Sequence, residues 1–376
     1  GRHRTRDRRR PGRGLHGPAD RAGRRGRRVV AVRRVGSARH PGAVDEEVRI
    51  MSSRRPTPLA ETINATLADL LERDPKVLLV GEDIGRLGGV FRVTRGLQER
   101  FGRERVRDSL LAESTIVGHA IGLSMSGLVP VCEIQFDGFT YPAVNQLVTQ
   151  AGRIVNRWNG DIGLSLVVRI PSGGGIRGVE HHSESNEALF ARVPGISVAY
   201  PSTGEDADQI LRHAVGMGSP VVIYEPIRLY WRRNVPGRVG GSALPPTSAR
   251  IVRPGTDVTV ATFGAITNDV LTAADALSPS VEIEVVDLRW LAPIDMTTVL
   301  ESVARTGRLL VVHEATKDVG IGAEVAAAVS ERGFDSLKCA IRRLAPERRA
   351  CPPADFEPGY QIGVDRIKEE VLGMVT

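Results

Sequence analysis

Three groups of residues have types and spacings that could do chemistry. The first is Glu113, in DSLLAESTIVGHAIG, flanked by Leu110, Leu111, Ile116 and Val117. A carboxyl among apolar neighbours has its charged form disfavoured and can share a proton with a ring nitrogen. The same residue could instead serve as the N-terminal acid that caps a helix over 115–128. The second group is His181-His182. Adjacent side chains point apart on a strand, and a helix needs i, i+4 spacing to converge on a metal, so this pair is not expected to bind one. A histidine in a loop after a glycine-rich stretch is placed to touch substrate or cofactor, or else is a surface residue. The third is Gly173-Gly174-Gly175-Ile176-Arg177-Gly178, a literal G-x-G-x-x-G. A dinucleotide fingerprint also needs its last glycine to open a helix and an acid about 20 residues on. Here the polar VEHHSESN follows, and Pro171 stands between strand and glycines. No GxxxxGK[ST] exists, which excludes a P-loop nucleotidase.

Alternating strands and helices must hold these groups. Leu59, Ile63, Leu67 and Leu70-Leu71 recur at helical spacing, and VLLVG (77–81) reads as a buried parallel strand. A helix over 115–128, a strand over 129–136, a helix over 140–156 and a strand over 164–170 follow. A strand over 196–201, a helix over 204–216 and a strand over 220–226 complete the series, which predicts an α/β fold with a parallel sheet. Residues 232–254 are rich in Pro and Gly and read as a linker. A second series, with strands over 257–264, 281–288, 308–314 and 337–344 and helices between them, predicts a smaller α/β domain over 255–376.

The chain has 376 residues, 41% hydrophobic and 25% charged, a globular balance. Its net charge of +7 hides an asymmetry, because residues 1–50 hold 16 Arg and five acids. That leaves the remainder mildly acidic, so a globally basic nucleic-acid binder is not expected. Gly and Pro throughout residues 1–50 prevent helix nucleation. The segment reads as a disordered Arg-rich extension upstream of Met51 with no function, with targeting and nucleic-acid contact as the alternatives. No apolar run approaches the length of a membrane span. Cys132, Cys339 and Cys351 are scattered and form no CxxC, so neither a disulfide framework nor a zinc site is expected.

Eight ordered blocks then carry a resemblance. They are GEDIG (81–85), GGVFRVTRGL (88–97), RDSLLAESTIVGHAIGLSMSG (107–127), EIQFDGFTYPA (133–143), RIPSGGG (169–175), EHHSES (180–185), PGISVAYPS (194–202) and PVVIYEP (220–226). In this order they resemble the β subunit of the thiamine-diphosphate-dependent 2-oxo acid dehydrogenase E1 component. VDLRWLAPID (286–295), TGRLLVVHEA (306–315) and FEP (356–358) resemble that family's C-terminal domain. The resemblance covers 57–376 and none of 1–50. It implies a transketolase-like pyrimidine-binding domain over 51–231 and a transketolase C-terminal-like domain over 255–376.

The resemblance also implies site residues. The family's glutamate that bonds N1′ of the aminopyrimidine falls on Glu113, where a shared proton favours the imino tautomer that activates the cofactor. The ring-packing aromatic falls on Phe139, where many relatives carry Tyr. A polar contact falls on Gln135 and an apolar one on Leu111. The family's active-site histidine falls on His182, placed for proton transfer and for acyl transfer to a lipoyl group. Two positions of the family's potassium site are Met217 and Ser219 here, which puts that ion in doubt. The GDG…N signature that holds Mg²⁺ and diphosphate is absent, so an α subunit is expected to supply it in an α2β2 heterotetramer. The implied reaction is oxidative decarboxylation of a 2-oxo acid, branched-chain favoured and pyruvate next, with acyl transfer to a lipoyl-bearing E2. A bacterial cytoplasmic setting is expected, with the mitochondrial matrix as alternative. The rival readings are a single-chain transketolase-type enzyme, opposed by the missing GDG, a non-catalytic scaffold, opposed by Glu113 and His182 in place, and a nucleic-acid-binding protein using the tail, which salt-dependent binding by the full chain but not by residues 51–376 would reveal.

Overall fold

Glu133, Arg169 and Glu225 lie on three neighbouring strands and meet inside the larger of two sheets. The computed structural model describes residues 57–233 and 244–376; the extension over 1–50 and part of the expected linker lie outside the described residues. Helix α1 (Leu59–Arg73) buries Leu59, Ile63, Leu67 and Leu71, the i, i+4 stripe that its spacing predicts. It packs on α6 (Gly204–Gly216), whose N-cap Thr203 accepts a bond from the Asp206 amide.

The larger sheet has the order β10-β5-β6-β4-β3-β1-β2. Its strands are β1 (Val77–Gly81), β2 (Val106–Asp108), β3 (Val129–Glu133), β4 (Val167–Ser172), β5 (Ser197–Ala199), β6 (Val221–Pro226) and β10 (Trp290–Ala292). All pair in parallel except β10, which runs antiparallel to β5. Every residue of β1, β4 and β6 is buried, as expected for a parallel sheet covered on both faces. The smaller sheet has the order β12-β11-β8-β9-β7, from β7 (Arg250–Arg253), β8 (Val258–Thr262), β9 (Ile283–Asp287), β11 (Leu309–Val312) and β12 (Arg342–Leu344). Here β7 is the antiparallel edge.

Several elements differ from the sequence expectation. Strand β7 lies inside the stretch read as a linker, and pairs with β9 despite its Pro- and Gly-rich surroundings. Strand β10 follows β9 directly, yet it crosses to extend the first sheet and buries Trp290 there. The helix expected over 140–156 is broken into a 3₁₀ turn (Tyr141–Ala143), a π segment (Gln146–Ala151) and α4 (Gly152–Arg157). A helix over 115–128 appears as α3 (Glu113–Met125), beginning at the carboxyl of interest.

Side chains join the two sheets. Arg289, 2% exposed, donates to Asp206 Oδ1 (2.9 Å), Gln209 Oε1 (3.0 Å) and the Ser248 carbonyl (2.8 Å). The Ser202 hydroxyl donates to Asp287 at the end of β9. Arg228 pairs with Asp269 (2.6 Å) and Glu314 (3.1 Å).

Arg169 is the one cation between two buried carboxylates. It holds Glu225 through Nε and Nη2, each 2.7 Å, and Glu133 through Nη1 at 2.8 Å. The Tyr230 hydroxyl donates to Glu225 at 2.6 Å. Burial pushes the Glu133 carboxyl up and the Glu225 charge adds to that, against the pull of Arg169. Removing the cation strands both acids, so Arg169→Met is expected to cost about 3–5 kcal/mol. A urea unfolding midpoint within error of wild type would show that the triad contributes nothing.

Candidate active site

Strand register brings the expected site residues to one edge. Gly81 lies opposite both Asp108 and Glu133, and Glu133 lies opposite Arg169. The segments after β1, β2, β3 and β4 therefore leave the sheet side by side at its carboxyl end, where open α/β sheets bind ligands. Glu82 follows β1, Glu113 opens α3 after β2, Gln135 and Phe139 follow β3, and His182 follows β4.

Glu113 is 9% exposed and is the first residue of α3. The N-cap is Ala112 and no side chain makes a capping bond, while Glu113 is the acid of the first turn. Its apolar surround divides in two. Ile116 and Val117 are buried beneath it, but Leu110 and Leu111 are 84% and 74% exposed. The sequence placed all four around the carboxyl; the structure turns the two leucines outward. Glu82 is the acid that sequence reasoning passed over, although it stands in GEDIG. Burial pushes its carboxyl up, and the charges of Asp83 and Glu113 add to the shift.

The aromatic and histidine residues form a second group. Phe136 meets the His182 ring edge-on at 4.4 Å between centroids, and Phe139 does so at 5.3 Å. The rings of His181 and His182 are only 4.4 Å apart, because the pair sits in a 3₁₀ turn (Glu180–His182) rather than on a strand that would separate them. Burial first, then the His181 charge, lowers the His182 pKa, with Glu180 opposing, which favours the neutral ring. His182 Nδ1 is buried without a partner. Gly138 is required here: a Cβ would lie 2.2 Å from the His181 carbonyl oxygen. Gln135 is half-buried between buried Ile134 and Phe136. Among the described residues no group of three or more His, Cys, Asp or Glu is arranged to hold a metal ion.

The glycine run starts where β4 ends, since that strand continues through Pro171 to Ser172. It opens no helix, in keeping with the reading against a dinucleotide site. Instead, Gly175 donates its amide to Glu357, 3% exposed, from the FEP segment, and Gln361 donates to the same carboxyl at 2.9 Å. The FEP block thus bears on the loop that carries His182. Behind that loop lie Asp137, at 2% exposure, and Glu187, at 0%, neither of which sequence reasoning singled out. No signal in the sequence marks them, since an acid beside polar loop residues reads as solvated.

Two family models match the chain: transketolase, pyrimidine binding domain, over residues 56–231, and transketolase, C-terminal domain, over residues 247–367. The fold is therefore that of the transketolase-type class. A solved split-gene transketolase, described as an inactive β4 tetramer, shares the fold with a TM-score of 0.66 at 22% identity, covering 85% of this chain and 98% of that one. Among curated proteins, the pyruvate dehydrogenase E1 component subunit beta of Leifsonia xyli is 45% identical over 89% of this chain and 98% of its own length. The 2-oxoisovalerate dehydrogenase subunit beta of Bacillus subtilis is 42% identical over 82% of this chain and 95% of its own. The 3-methyl-2-oxobutanoate dehydrogenase subunit beta of Mycobacterium tuberculosis is 41% identical over 88% and 96%. The chain belongs to the family of 2-oxo acid dehydrogenase E1 β subunits. Among the described residues no helix is long and apolar enough to cross a membrane.

Glu187 yields a prediction about pH. Burial pushes its carboxyl up to about 8 against a hydrogen bond from its own backbone amide, with the charges of Asp137 and Glu314 adding. Asp137 is pushed up to about 7, again by burial. Tyr200 and Tyr224 also face these acids, and the Arg228 cation beyond them is held by Asp269 and Glu314. The folded chain thus holds protons that the unfolded chain releases from the ordinary carboxylate range upward. Stability must fall as pH rises through that interval and level off above the folded-state values. Glu187→Gln keeps the volume and removes the charge. Its denaturation midpoint should decline less between about pH 5 and about pH 9 and exceed wild type at the upper end. Equal slopes for the two proteins would show that Glu187 holds no proton.

Proposed function

We propose that this chain contributes the aminopyrimidine half of a thiamine diphosphate site in an E1 enzyme built as α2β2, which decarboxylates a 2-oxo acid and acylates the lipoyl group of an E2 partner. The observation that carries the reading is the pairing of a buried glutamate with exposed leucines at the sheet edge. Leu110 and Leu111, with Leu87, Val90, Ile176 and Val179, leave a broken apolar rim in this chain alone. Such a rim is what a partner subunit covers. One face of α3 supports the same conclusion: Thr115, Gly118, His119, Gly122 and Met125 are exposed while Ile116, Val117, Ala120 and Ile121 pack inward.

The residues present fit the cofactor's base and not its phosphates. Glu113 would hold N1′ by sharing a proton, Phe139 would pack on the ring, and Gln135 and Leu111 would flank it. When bound, thiamine diphosphate supplies the electron sink for decarboxylation. Glu113 keeps a proton at N1′ and so sets the tautomer of the ring. His182, neutral and against Phe136 and Phe139, is placed to move a proton at substrate or at the lipoyl thiol. The sequence has no GDG-type diphosphate anchor to accompany these groups, so Mg²⁺ and the diphosphate fall to the α chain. With Met217 and Ser219 where the family's potassium site has acid and amide, any potassium here would rest on backbone carbonyls.

A branched-chain 2-oxo acid is the favoured substrate, from the EHHSES and EIQFDGF blocks, with pyruvate second. Relatives bearing both substrate names match at 41–45% identity, so overall similarity does not divide them. A bacterial cytoplasm is the proposed setting.

Two outcomes test this reading. The purified chain with thiamine diphosphate and Mg²⁺ should show no decarboxylation until an α chain carrying GDG…N is added; activity of the single chain would sink the two-chain site. In the reconstituted enzyme, Glu113→Gln should slow C2–H exchange of the cofactor by about 10²–10⁴-fold, roughly 3–5 kcal/mol of barrier. His182→Ala should spare that exchange and slow overall turnover. Normal exchange in Glu113→Gln would remove Glu113 from the mechanism.

A further inference from the structure

We propose that Asp137 is a positioning residue, whose carboxylate closes the base of the loop that carries His182 and fastens it to the turn that carries Phe139. The proposal rests on the reading of His182 and Phe139 given above, but its geometry stands apart from it. One oxygen, Asp137 Oδ2, accepts from the Ser172 hydroxyl at 2.7 Å and from the Asn186 amide at 2.8 Å. Ser172 is the last residue of β4, and Asn186 is the N-cap of α5 (Glu187–Ala191). Both ends of the intervening segment, which includes the glycines and both histidines, therefore meet at a single atom. Asp137 belongs to the same 3₁₀ turn as Phe139 (Asp137–Phe139). The two turns abut, since Gly138 leaves no room for a side chain against the His181 carbonyl.

Further contacts follow the same line. The Tyr141 hydroxyl donates to Glu184 Oε2 at 2.8 Å, Asn186 Nδ2 donates to that same oxygen at 2.8 Å, and the Gly173 amide donates to the Glu184 carbonyl at 2.9 Å. The Ser172 hydroxyl also reaches the Glu184 carbonyl at 3.3 Å, so these bonds draw the ends of the loop together, while Asp137 is the residue of the Phe139 turn that takes a bond from each end. The two donors that reach Asp137 are neutral, so the carboxylate acts as an acceptor rather than as half of an ion pair. An apolar residue at this position would leave the Asn186 N–H without this acceptor and the Ser172 hydroxyl with only its longer bond to the Glu184 carbonyl at 3.3 Å. An amide would still present one oxygen to both.

The test uses the assembled α2β2 enzyme with Asp137→Ala and Asp137→Asn. The rate of His182 modification by diethyl pyrocarbonate, located by fragment masses, reads the position of the ring without reference to catalysis. Asp137→Ala should raise that rate about 10-fold, and Asp137→Asn should leave it near wild type, because the acceptor and not the charge sets the loop. Turnover in Asp137→Ala should fall by about 10-fold or more while C2–H exchange is spared, and the loss should vanish in a His182→Ala background, as coupled residues require. An unchanged His182 modification rate in Asp137→Ala overturns the proposal whatever happens to turnover. So does an Asp137→Asn variant as reactive as Asp137→Ala. Normal turnover in His182→Ala alone would instead sink the catalytic reading of the histidine and leave the tether standing on the modification rates. Should Asp137→Ala not assemble, Ser172→Ala removes one of the two tethers, and an unchanged His182 rate there is equally fatal.

Discussion

The guanidinium of Arg169 spans three strands at the level where their loops begin. Its partners Glu133 and Glu225 close β3 and approach the end of β6, and Arg169 itself lies three residues before Ser172 on β4. Gln135 and Phe139 follow two and six residues after Glu133. A buried arginine with two carboxylates is an expensive way to hold a sheet together, since desolvation offsets much of the Coulombic gain. What it supplies here is geometry. Bidentate contact to Glu225 and a single contact to Glu133 fix the relative height of three strand ends, and the loops that carry the aromatic and histidine groups inherit that register. The abutting turns at Gly138 and His181, where a Cβ would lie 2.2 Å from a carbonyl oxygen, leave little slack in the loops above it.

Much of this architecture was legible in the sequence, and the reasons for the rest are physical. Helices α1, α6 and α7 (Ile266–Leu277) carry clear apolar stripes or caps, and their limits follow from those. Parallel strands such as β1 and β6 are short apolar runs bounded by turn residues. Strands β7 and β10 have neither signal. Each is an antiparallel edge whose pairing depends on a partner distant in sequence, and Trp290 is buried only because β5 lies beside it. Helix α11 (Val364–Val375) buries Ile367, Val371 and Met374 at regular spacing, a stripe that the sequence itself carries.

The site divides in the same way. Glu113 stood out because one acid interrupted an apolar run, and its position at the head of α3 follows from that run being a helix. The approach of His182 to Phe136 and Phe139 could not be read, because it depends on β3 and β4 being neighbours in register. Likewise Glu357 reaches Gly175 across the boundary between the two sheets, from a segment of four helical residues with no periodicity to announce it. Asp137 and Glu187 are invisible for a related reason: an acid in a polar loop looks solvated until the fold buries it.

In the proposed reading, charge is a reason for one chain to hold only half of the site. The edge beside α3 presents Glu82 and Glu113, and burial with the Glu113 and Asp83 charges already disfavours a second negative charge at Glu82. A diphosphate brought to this surface would add to that repulsion, with no GDG-type loop to recruit Mg²⁺ against it. An aromatic base that accepts a proton at one ring nitrogen has the opposite preference and is favoured next to a carboxylate. The acidic pyrimidine side and the cation-dependent phosphate side are therefore best built on different surfaces that meet only when the cofactor lies between them. The outward leucines at 110 and 111 fit that arrangement. Their apolar area is costly in water for an isolated chain and becomes useful when a partner chain covers it, so closing the site and forming the enzyme become the same event.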